Sequence, residues 1–572
     1  MIEKINIKHT AAALIIFFSV SLFFQIDKAE IQPWDEGLYA MRALSIVKYG
    51  DIWDQSAHSI GGLYSATYPP LTVWAIAGLM SFAEPHSAVR IFSAVCGSLA
   101  LLFIYLISRR FLSGDMSLVS IIGLAVTVTW NKYSRQGMTD VPLMTFALFS
   151  LWALIKFMES DSTRKNFAFL IIFALSFAAG LMTKVIISFL PLLFVLYFFL
   201  KAEKNKKTLL IISSVSGLVL SAPWHLYMAM KHGFEFYRVF FTPHIYSSVE
   251  NNTPVLGIFY YVNQLIIANP FLIIAIIVLF AFLIKRQKIM SLFIDNENYY
   301  LKLLLLWFGT GFIFLSISAT KLPHYTLYII LPGILISGLL IDKSDRGEIG
   351  VVWKYWLLSA IVIAFMWSIS YELRQELKQL VTLTGFSPRA VFYLLLLGFL
   401  VYFGFKSDSA LKDRILNRSF ISISYIILFI LIIKIIVISV FYFEGSIRGG
   451  IDTAYYLEKS EKKSFVYLYH EHNASDSLNP QLAWYTQGWT CGWRKGMTMH
   501  NFPMPLNRLD FNVINASDSI TKDFLVYYLP EDKVLEEAVT NEIKQTRHLI
   551  NRKRNYAIFS PVMFKRNKGI TI

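Results

Sequence analysis

Apolar residues recur along this chain in runs of about twenty, separated by short polar and basic stretches. Phe167 to Met182 carries no charge, and Phe420 to Val440 carries only Lys434. A helix needs ~20 mostly apolar residues to cross ~30 Å of hydrocarbon. The pattern predicts spans at roughly 9–26, 88–108, 115–131, 141–158, 166–182, 184–200, 208–226, 256–284, 301–319, 324–341, 353–371, 390–405 and 419–443. That makes about thirteen transmembrane helices; the pair flanking Thr183 and Lys184 also reads as one long kinked span. Between the first two spans, Glu36 to Tyr49 and Leu71 to Phe82 are amphipathic and predict short helices lying at the interface.

Loop charge then sets orientation. Lys4, Lys8, Arg109, Arg110, Lys201, Lys204, Lys206, Lys207, Lys285, Arg286, Lys288 and the segment 406–418 fall on one side, which is therefore cytoplasmic. An odd helix count puts the C-terminus outside. The outer side holds 27–87, 131–140, 227–255, 372–389 and the tail. The chain thus divides into a transmembrane domain at 1–444 and a non-cytoplasmic tail at 445–572. Strand-like runs at Ser464–Tyr469 and Phe524–Leu529, with a helical run at Glu531–Asn551, predict that the tail is a small α/β domain.

Composition agrees: 55% of residues are hydrophobic and 16% charged, with a mean hydropathy of +0.52. Soluble domains carry about 25% charged residues, so one signal peptide on an ordinary globule does not account for this chain. The net charge of +15 sits largely in short loops, where it answers to the positive-inside bias and to anionic lipid headgroups rather than to nucleic acid. Cys96 and Cys491 predict neither a bridge nor a paired-cysteine metal site.

Polar residues gather at the outer ends of the spans. Asp35 and Glu36 lie in Pro33-Trp34-Asp35-Glu36-Gly37-Leu38-Tyr39-Ala40, and Arg135 and Asp140 precede the fourth span. Lys184 sits between the fifth and sixth, His225 ends the seventh, and His244 lies beyond it; Lys321, His324 and Tyr325 join the ninth to the tenth. Ionisable groups at membrane depth are costly, so several at one level suggest a single cavity. A carboxylate there can act as a general base, and nearby cations can hold a phosphate. Asp35, Tyr39 and Arg42 share a helical face. Blander readings stand beside these: Asp35 as an interfacial cap, Asp140 as a helix N-cap, and Lys184, Lys321 and His324 as snorkelling anchors. His225 and His244 serve as simple hydrogen-bonding groups in that view, and the tyrosines and tryptophans as an aromatic belt. A carboxylate pair either binds a divalent cation or works as base and orienter, and the sequence leaves that choice open. His58 and His86 fit no metal template.

These residues carry a resemblance. In order along the chain come Gln32-Pro33-Trp34-Asp35-Glu36-Gly37-Leu38-Tyr39-Ala40, Gly50-Asp51-Ile52-Trp53, Tyr68-Pro69-Pro70, Gly137-Met138-Thr139-Asp140, Met182-Thr183-Lys184, Ala222-Pro223-Trp224 and Lys321-Leu322-Pro323-His324-Tyr325. The chain resembles the GT-C glycosyltransferases of the protein O-mannosyltransferase and aminoarabinose-transferase (ArnT-like) superfamily. That resemblance implies a thirteen-helix inverting transferase in the bacterial inner membrane, its active site facing the periplasm. The donor would be a polyprenyl-phosphate-linked sugar and the acceptor a lipid, a glycan or a protein. It further implies Asp35 as base, Glu36 as its companion and Asp140 in the same cavity, with Lys184, Lys321 and Tyr325 near the carrier phosphate or sugar. Two positions depart from the aminoarabinose enzymes: Leu38 stands where they have arginine, and Tyr68 where they have lysine. Arg42, Arg135 and His324 are candidates for the missing positive charge. The rival readings are a flippase or transporter of lipid-linked sugars and a membrane-anchored binding protein working through its tail.

Overall fold

The computed structural model describes residues 7–241 except 28, 33, 61 and 185, a few positions within 260–269, residues 299–345 except 319 and 320, and parts of 452–560. Most of the expected span 256–284, the spans at 353–371, 390–405 and 419–443, the loop 372–389, Cys491 and His244 lie outside the described residues. The chain forms two compact units. One comprises Met1–Phe24, Ser93–Arg135 and Thr139–Tyr442; the other comprises Gln25–Phe92, Gln136–Met138 and Phe443–Ile572.

In the first unit, α1 (Ile7–Phe23), α6 (Gly114–Ala125), α7 (Val128–Ser134), α8 (Asp140–Glu159), α9 (Thr163–Leu181), α10 (Leu190–Lys201) and α11 (Lys204–Phe241) follow in order, with α12 (Tyr299–Ile317) and α13 (Leu327–Asp345) further on. Helix α5 (Pro85–Ser108) begins in the second unit and continues here. Among the described residues, five helices are long and apolar enough to cross a membrane: α5, α8, α9, α11 as far as Val239, and α12. Their outward faces are apolar too, as at Ile211, Val219, Met230 and Ile313, which suits lipid and not water. Helix α9 meets α11 at Gly217, where a Cβ would lie 2.6 Å from the Phe177 ring and 3.1 Å from the Ala174 carbonyl. A small residue is what lets two backbones come this close.

Three expected spans differ in detail. The run 115–131 divides into α6 and α7 at Thr127. Thr127 Oγ1 donates to the Gly123 carbonyl at 2.9 Å, and Asn269 Nδ2 donates to that same carbonyl (2.8 Å) and to Thr127 Oγ1 (2.6 Å). These bonds satisfy backbone freed by the break, as an apolar setting demands. Between α9 and α10 the helix ends at Leu181 and resumes through a 3-10 turn at Ile187–Phe189, with a proline in the first turn of α10. Helix α11 runs past His225 to Phe241, tolerating Pro223 and breaking its helical geometry at Gly233 (φ 56°).

The second unit holds α2 (Asp35–Tyr49), α3 (Gly62–Ala66) and α4 (Leu71–Leu79), the two amphipathic stretches appearing as helices. Helix α2 closes on Gly50 at φ 76°, whose N–H returns to the Ile46 carbonyl, the usual left-handed glycine stop. The same unit contains a mixed five-stranded sheet of order β2-β1-β3-β5-β4. Its strands are β1 (Ser464–His470), β2 (Thr498–Met504), β3 (Phe524–Tyr528), β4 (Leu549–Lys553) and β5 (Tyr556–Phe559). The first three pair in parallel, while β5 runs antiparallel to β3 and β4. The end of the expected helical run 531–551 is therefore strand: the ladder to a wholly buried β5 outweighs local helical pattern. One core joins sheet and loop, with Leu38, Met41, Val73 and Ile76 packed in the same cluster as Leu457, Leu482, Trp484, Val526, Tyr556 and Ile558.

Candidate active site

Chemistry-bearing residues collect in two places, one in each unit. In the second unit the centre is the Glu36 carboxylate on the first turn of α2. Its Oε1 accepts Arg90 Nε at 2.7 Å and the Gly137 N–H at 2.9 Å; its Oε2 accepts the Gln32 N–H at 2.6 Å and Arg90 Nη2 at 3.1 Å. Arg90, near the start of α5, also donates Nη1 to the carbonyls of Ile26 (2.9 Å) and Ala29 (2.7 Å) and Nη2 to that of Glu30 (2.7 Å). All five guanidinium donors are therefore used. The two side chains are 1% and 0% exposed, so this ion pair is buried and its polar atoms are satisfied, the condition under which such a pair is tolerated. Gly137 fits because it is glycine: a Cβ would lie 2.5 Å from Val89 Cγ1 and 2.7 Å from the Val89 carbonyl oxygen.

Asp35, the first residue of α2 and one before Glu36, is half-buried. Tyr64 stands in its electrostatic reach, and burial first, then the Asp35 charge, holds the Tyr64 phenol above its usual value. Tyr39 is buried, its ring edge-on to that of Tyr68 at 6.4 Å. Arg42 is fully buried, giving Nε (3.2 Å) and Nη2 (2.9 Å) to Gln55 Oε1 and Nη2 to the Tyr68 carbonyl (2.8 Å). Burial lowers it to about 10, leaving it a cation at neutral pH.

In the first unit the centre is Asp140 at the start of α8. Its Oδ1 accepts Lys184 Nζ at 2.9 Å and also the Tyr328 hydroxyl. Its Oδ2 is buried with no hydrogen-bond partner among the described residues, and His324 Nε2 lies 3.9 Å from it. The Lys184 ammonium also sits over the Tyr325 ring, 5.0 Å from its centroid, a cation–π contact. His324 packs edge-on to Tyr133 (5.1 Å) and Tyr325 (4.7 Å). One buried carboxylate thus aims one lysine, inside a ring of aromatic side chains.

Residues 67–227 match the family model described as dolichyl-phosphate-mannose-protein mannosyltransferase. No curated protein matches the chain in sequence. The crystal structure of ArnT from Cupriavidus metallidurans bound to undecaprenyl phosphate is similar at a TM-score of 0.64 and 15% identity, over 96% of this chain and 98% of that one. The apo ArnT structure gives 0.62 and 16%, over 97% and 98%. This is a GT-C fold. The ArnT likeness extends over nearly the whole chain, whereas the family model covers residues 67–227.

On this GT-C frame the remaining expected residues take varied places. Arg135 Nη2 donates to the Phe24 carbonyl at 2.5 Å and so closes the end of α1. His225 Nδ1 bonds the Ser221 carbonyl of its own helix at 2.9 Å. Lys321 Nζ gives its protons to the carbonyls of Leu315 (2.9 Å), Ser316 (2.8 Å) and Ser318 at the end of α12, a helix cap. Leu38 is buried in the core of its unit. Among the cluster residues absent from the sequence expectations are Arg90, Tyr328 and Tyr64. Arg90 had a signal, a charge at the edge of an apolar run; the two tyrosines read as belt residues. Among the described residues no three His, Cys, Asp or Glu side chains are grouped to hold a metal ion.

Proposed function

We propose that this chain is an inverting glycosyltransferase that takes a sugar from a polyprenyl-phosphate carrier at the non-cytoplasmic face of a bacterial inner membrane. The fold shared with an ArnT that binds undecaprenyl phosphate supports the donor class. In this reading thirteen helices span the membrane, and the tail from 445 is a non-cytoplasmic domain. The acceptor is a hydroxyl-bearing lipid, glycan or protein.

The observation that carries the proposal is the contrast between neighbouring carboxylates. Glu36 has both oxygens filled by four donors and no access to solvent, so it holds the loop. Asp35, half-buried at the start of α2, is read as the group that takes a proton. Asp35 removes the proton of the acceptor hydroxyl as that oxygen bonds the anomeric carbon. The bond from the anomeric carbon to the carrier phosphate oxygen breaks, and the polyprenyl phosphate leaves with the electron pair. Within the other unit, Lys184 is held by Asp140 and Tyr328, a point cation of the kind that binds a phosphate.

The test is transfer by the purified full-length chain in lipid nanodiscs, supplied with polyprenyl-phosphate sugars and a membrane extract as acceptor. Asp35→Asn is expected to lower the rate by at least ~10²-fold, and Lys184→Ala to raise the donor KM. An Asp35→Asn protein transferring at the wild-type rate would overturn the assignment. Movement of the lipid-linked sugar across vesicles without covalent transfer would establish the flippase reading instead.

A further inference from the structure

Trp34, the residue before Asp35, has φ 67° and ψ −109°. Among the described residues, Gln25 is the other non-glycine with positive φ. A side chain with a Cβ is strained there, and a bulky one more so. Such a conformation persists where its surroundings over-determine it, and it clusters at functional positions. The surroundings here do so: the Trp34 carbonyl accepts the Leu38 N–H at 2.8 Å, the Gln32-to-Glu36 bond spans the residue, and Arg90 fastens both Glu36 and the carbonyls of residues 26, 29 and 30.

What this brace holds out is an aromatic surface. The half-buried Trp34 ring lies 6.4 Å from the half-buried Tyr64 ring, inclined at 53°. Tyr64 lies in the electrostatic reach of Asp35. Tyr68 meets Tyr39 edge-on. A sugar ring offers C–H groups on its faces and hydroxyls on its rim. Flat rings beside phenol hydroxyls and a carboxylate match both parts, as mixed apolar and polar linings do in ligand sites generally.

We infer that Trp34 and Tyr64 form the wall against which a sugar ring lies during transfer, with Trp34 stacking on the ring and Tyr64 bonding its hydroxyls. The inference rests on the reading of Asp35 as the base, since it places the ring beside that residue. A tryptophan that merely filled the margin of the core would gain nothing from a left-handed backbone. Position 34 would then suit glycine, which carries no such strain. The ring is that of the donor or of a glycan acceptor, and the two sources give different results.

The experiment measures binding of bare polyprenyl phosphate and of polyprenyl phosphate carrying mannose, glucose, galactose, N-acetylglucosamine or aminoarabinose to the full-length chain in nanodiscs. Wild type, Trp34→Gly, Trp34→Phe and Tyr64→Phe are compared, along with their thermal midpoints and transfer kinetics. For the sugar that wild type prefers over bare carrier, Trp34→Gly is expected to lose about tenfold in affinity. It should bind bare carrier unchanged and keep or raise its thermal midpoint, because the strain is relieved. Trp34→Phe should fall between, and Tyr64→Phe should lose less than Trp34→Gly. An intact donor preference with a raised acceptor KM in Trp34→Gly supports the wall and assigns it to the acceptor's ring. Trp34→Gly behaving as wild type in both binding and transfer overturns the inference. So does a lowered midpoint with equal loss of bare carrier, or a wild type that prefers no sugar. Failure of the functional reading shows separately, as undiminished transfer by Asp35→Asn.

Discussion

Glu36→Gln is the substitution that separates a scaffold carboxylate from a chemical one. The exchange keeps the volume and replaces one oxygen with an amide NH2. Each Glu36 oxygen accepts two donors, so either amide orientation loses two hydrogen bonds and sets donors against donors. At least one of the lost bonds comes from the Arg90 guanidinium, and bonds to charged groups are worth ~1.5–3 kcal/mol each. Arg90 is then left buried, at 1% exposure, without a counter-charge; breaking one side of a buried ion pair costs ~3–5 kcal/mol. The two routes agree on a few kcal/mol. Unfolding of a multi-span protein is commonly irreversible, so the measure is the rate of thermal inactivation in nanodiscs. If the lost bonds are also broken in the unfolding transition state, that rate rises by ~10² or more. Pairing Glu36→Gln with Arg90→Gln should restore part of the loss, since no uncompensated charge then remains. A Glu36→Gln protein as durable as wild type but as inactive as Asp35→Asn would refute the scaffold reading and make Glu36 a reacting group.

Gly137→Ala should reproduce the symptoms of Glu36→Gln more mildly: its Cβ meets Val89 at 2.5 Å and 2.7 Å, an overpacking worth ~1–3 kcal/mol, read by the same inactivation assay. Asp140→Asn removes the anchor of Lys184 and should raise the donor KM more than it lowers kcat, which steady-state kinetics at saturating acceptor will show. Tyr328→Phe should act in the same direction and less strongly, because Lys184 keeps its ion pair. Lys321→Met strips three bonds from the end of α12 and should lower the thermal midpoint while leaving the donor KM unchanged, in contrast to Lys184→Ala.

Much of the membrane frame was legible because its signal is local. Helices α5, α8, α9 and α12 follow runs of apolar residues whose length alone identifies them. The break between α6 and α7 was not legible, since it is completed by Asn269, far along the chain from Thr127. Nor was the continuation of α11 beyond residue 226 to Phe241, because the polar Lys231 and His232 read as the end of an apolar span. Residue types marked Asp35, Glu36, Asp140 and Lys184 as candidates. Spacing could not say that the Glu36 oxygens are filled and that Asp35 lies half-buried beside them. Arg42 is a candidate for a missing positive charge and Lys321, by the resemblance, for a place near the carrier phosphate or sugar; in the structure Arg42 donates to Gln55 and Tyr68 and Lys321 to backbone carbonyls. Charge at an outer helix end is ambiguous between ligand and cap until the partner carbonyls are located.

The core shared by α2, α4 and the C-terminal strands has a consequence for how the protein is made. Leu38, Met41, Val73 and Ile76 leave the ribosome several hundred residues before Val526, Tyr556 and Ile558, which belong to the same cluster. At ~5–20 residues per second, the early half waits on the order of tens of seconds for its partner. During that interval the segment bearing Asp35 is present, but the core beneath it is unfinished. A nascent or prematurely terminated chain would therefore insert its spans yet lack a settled Asp35 loop. Such chains are expected to be inactive and to draw quality-control proteases before the last strand is in place.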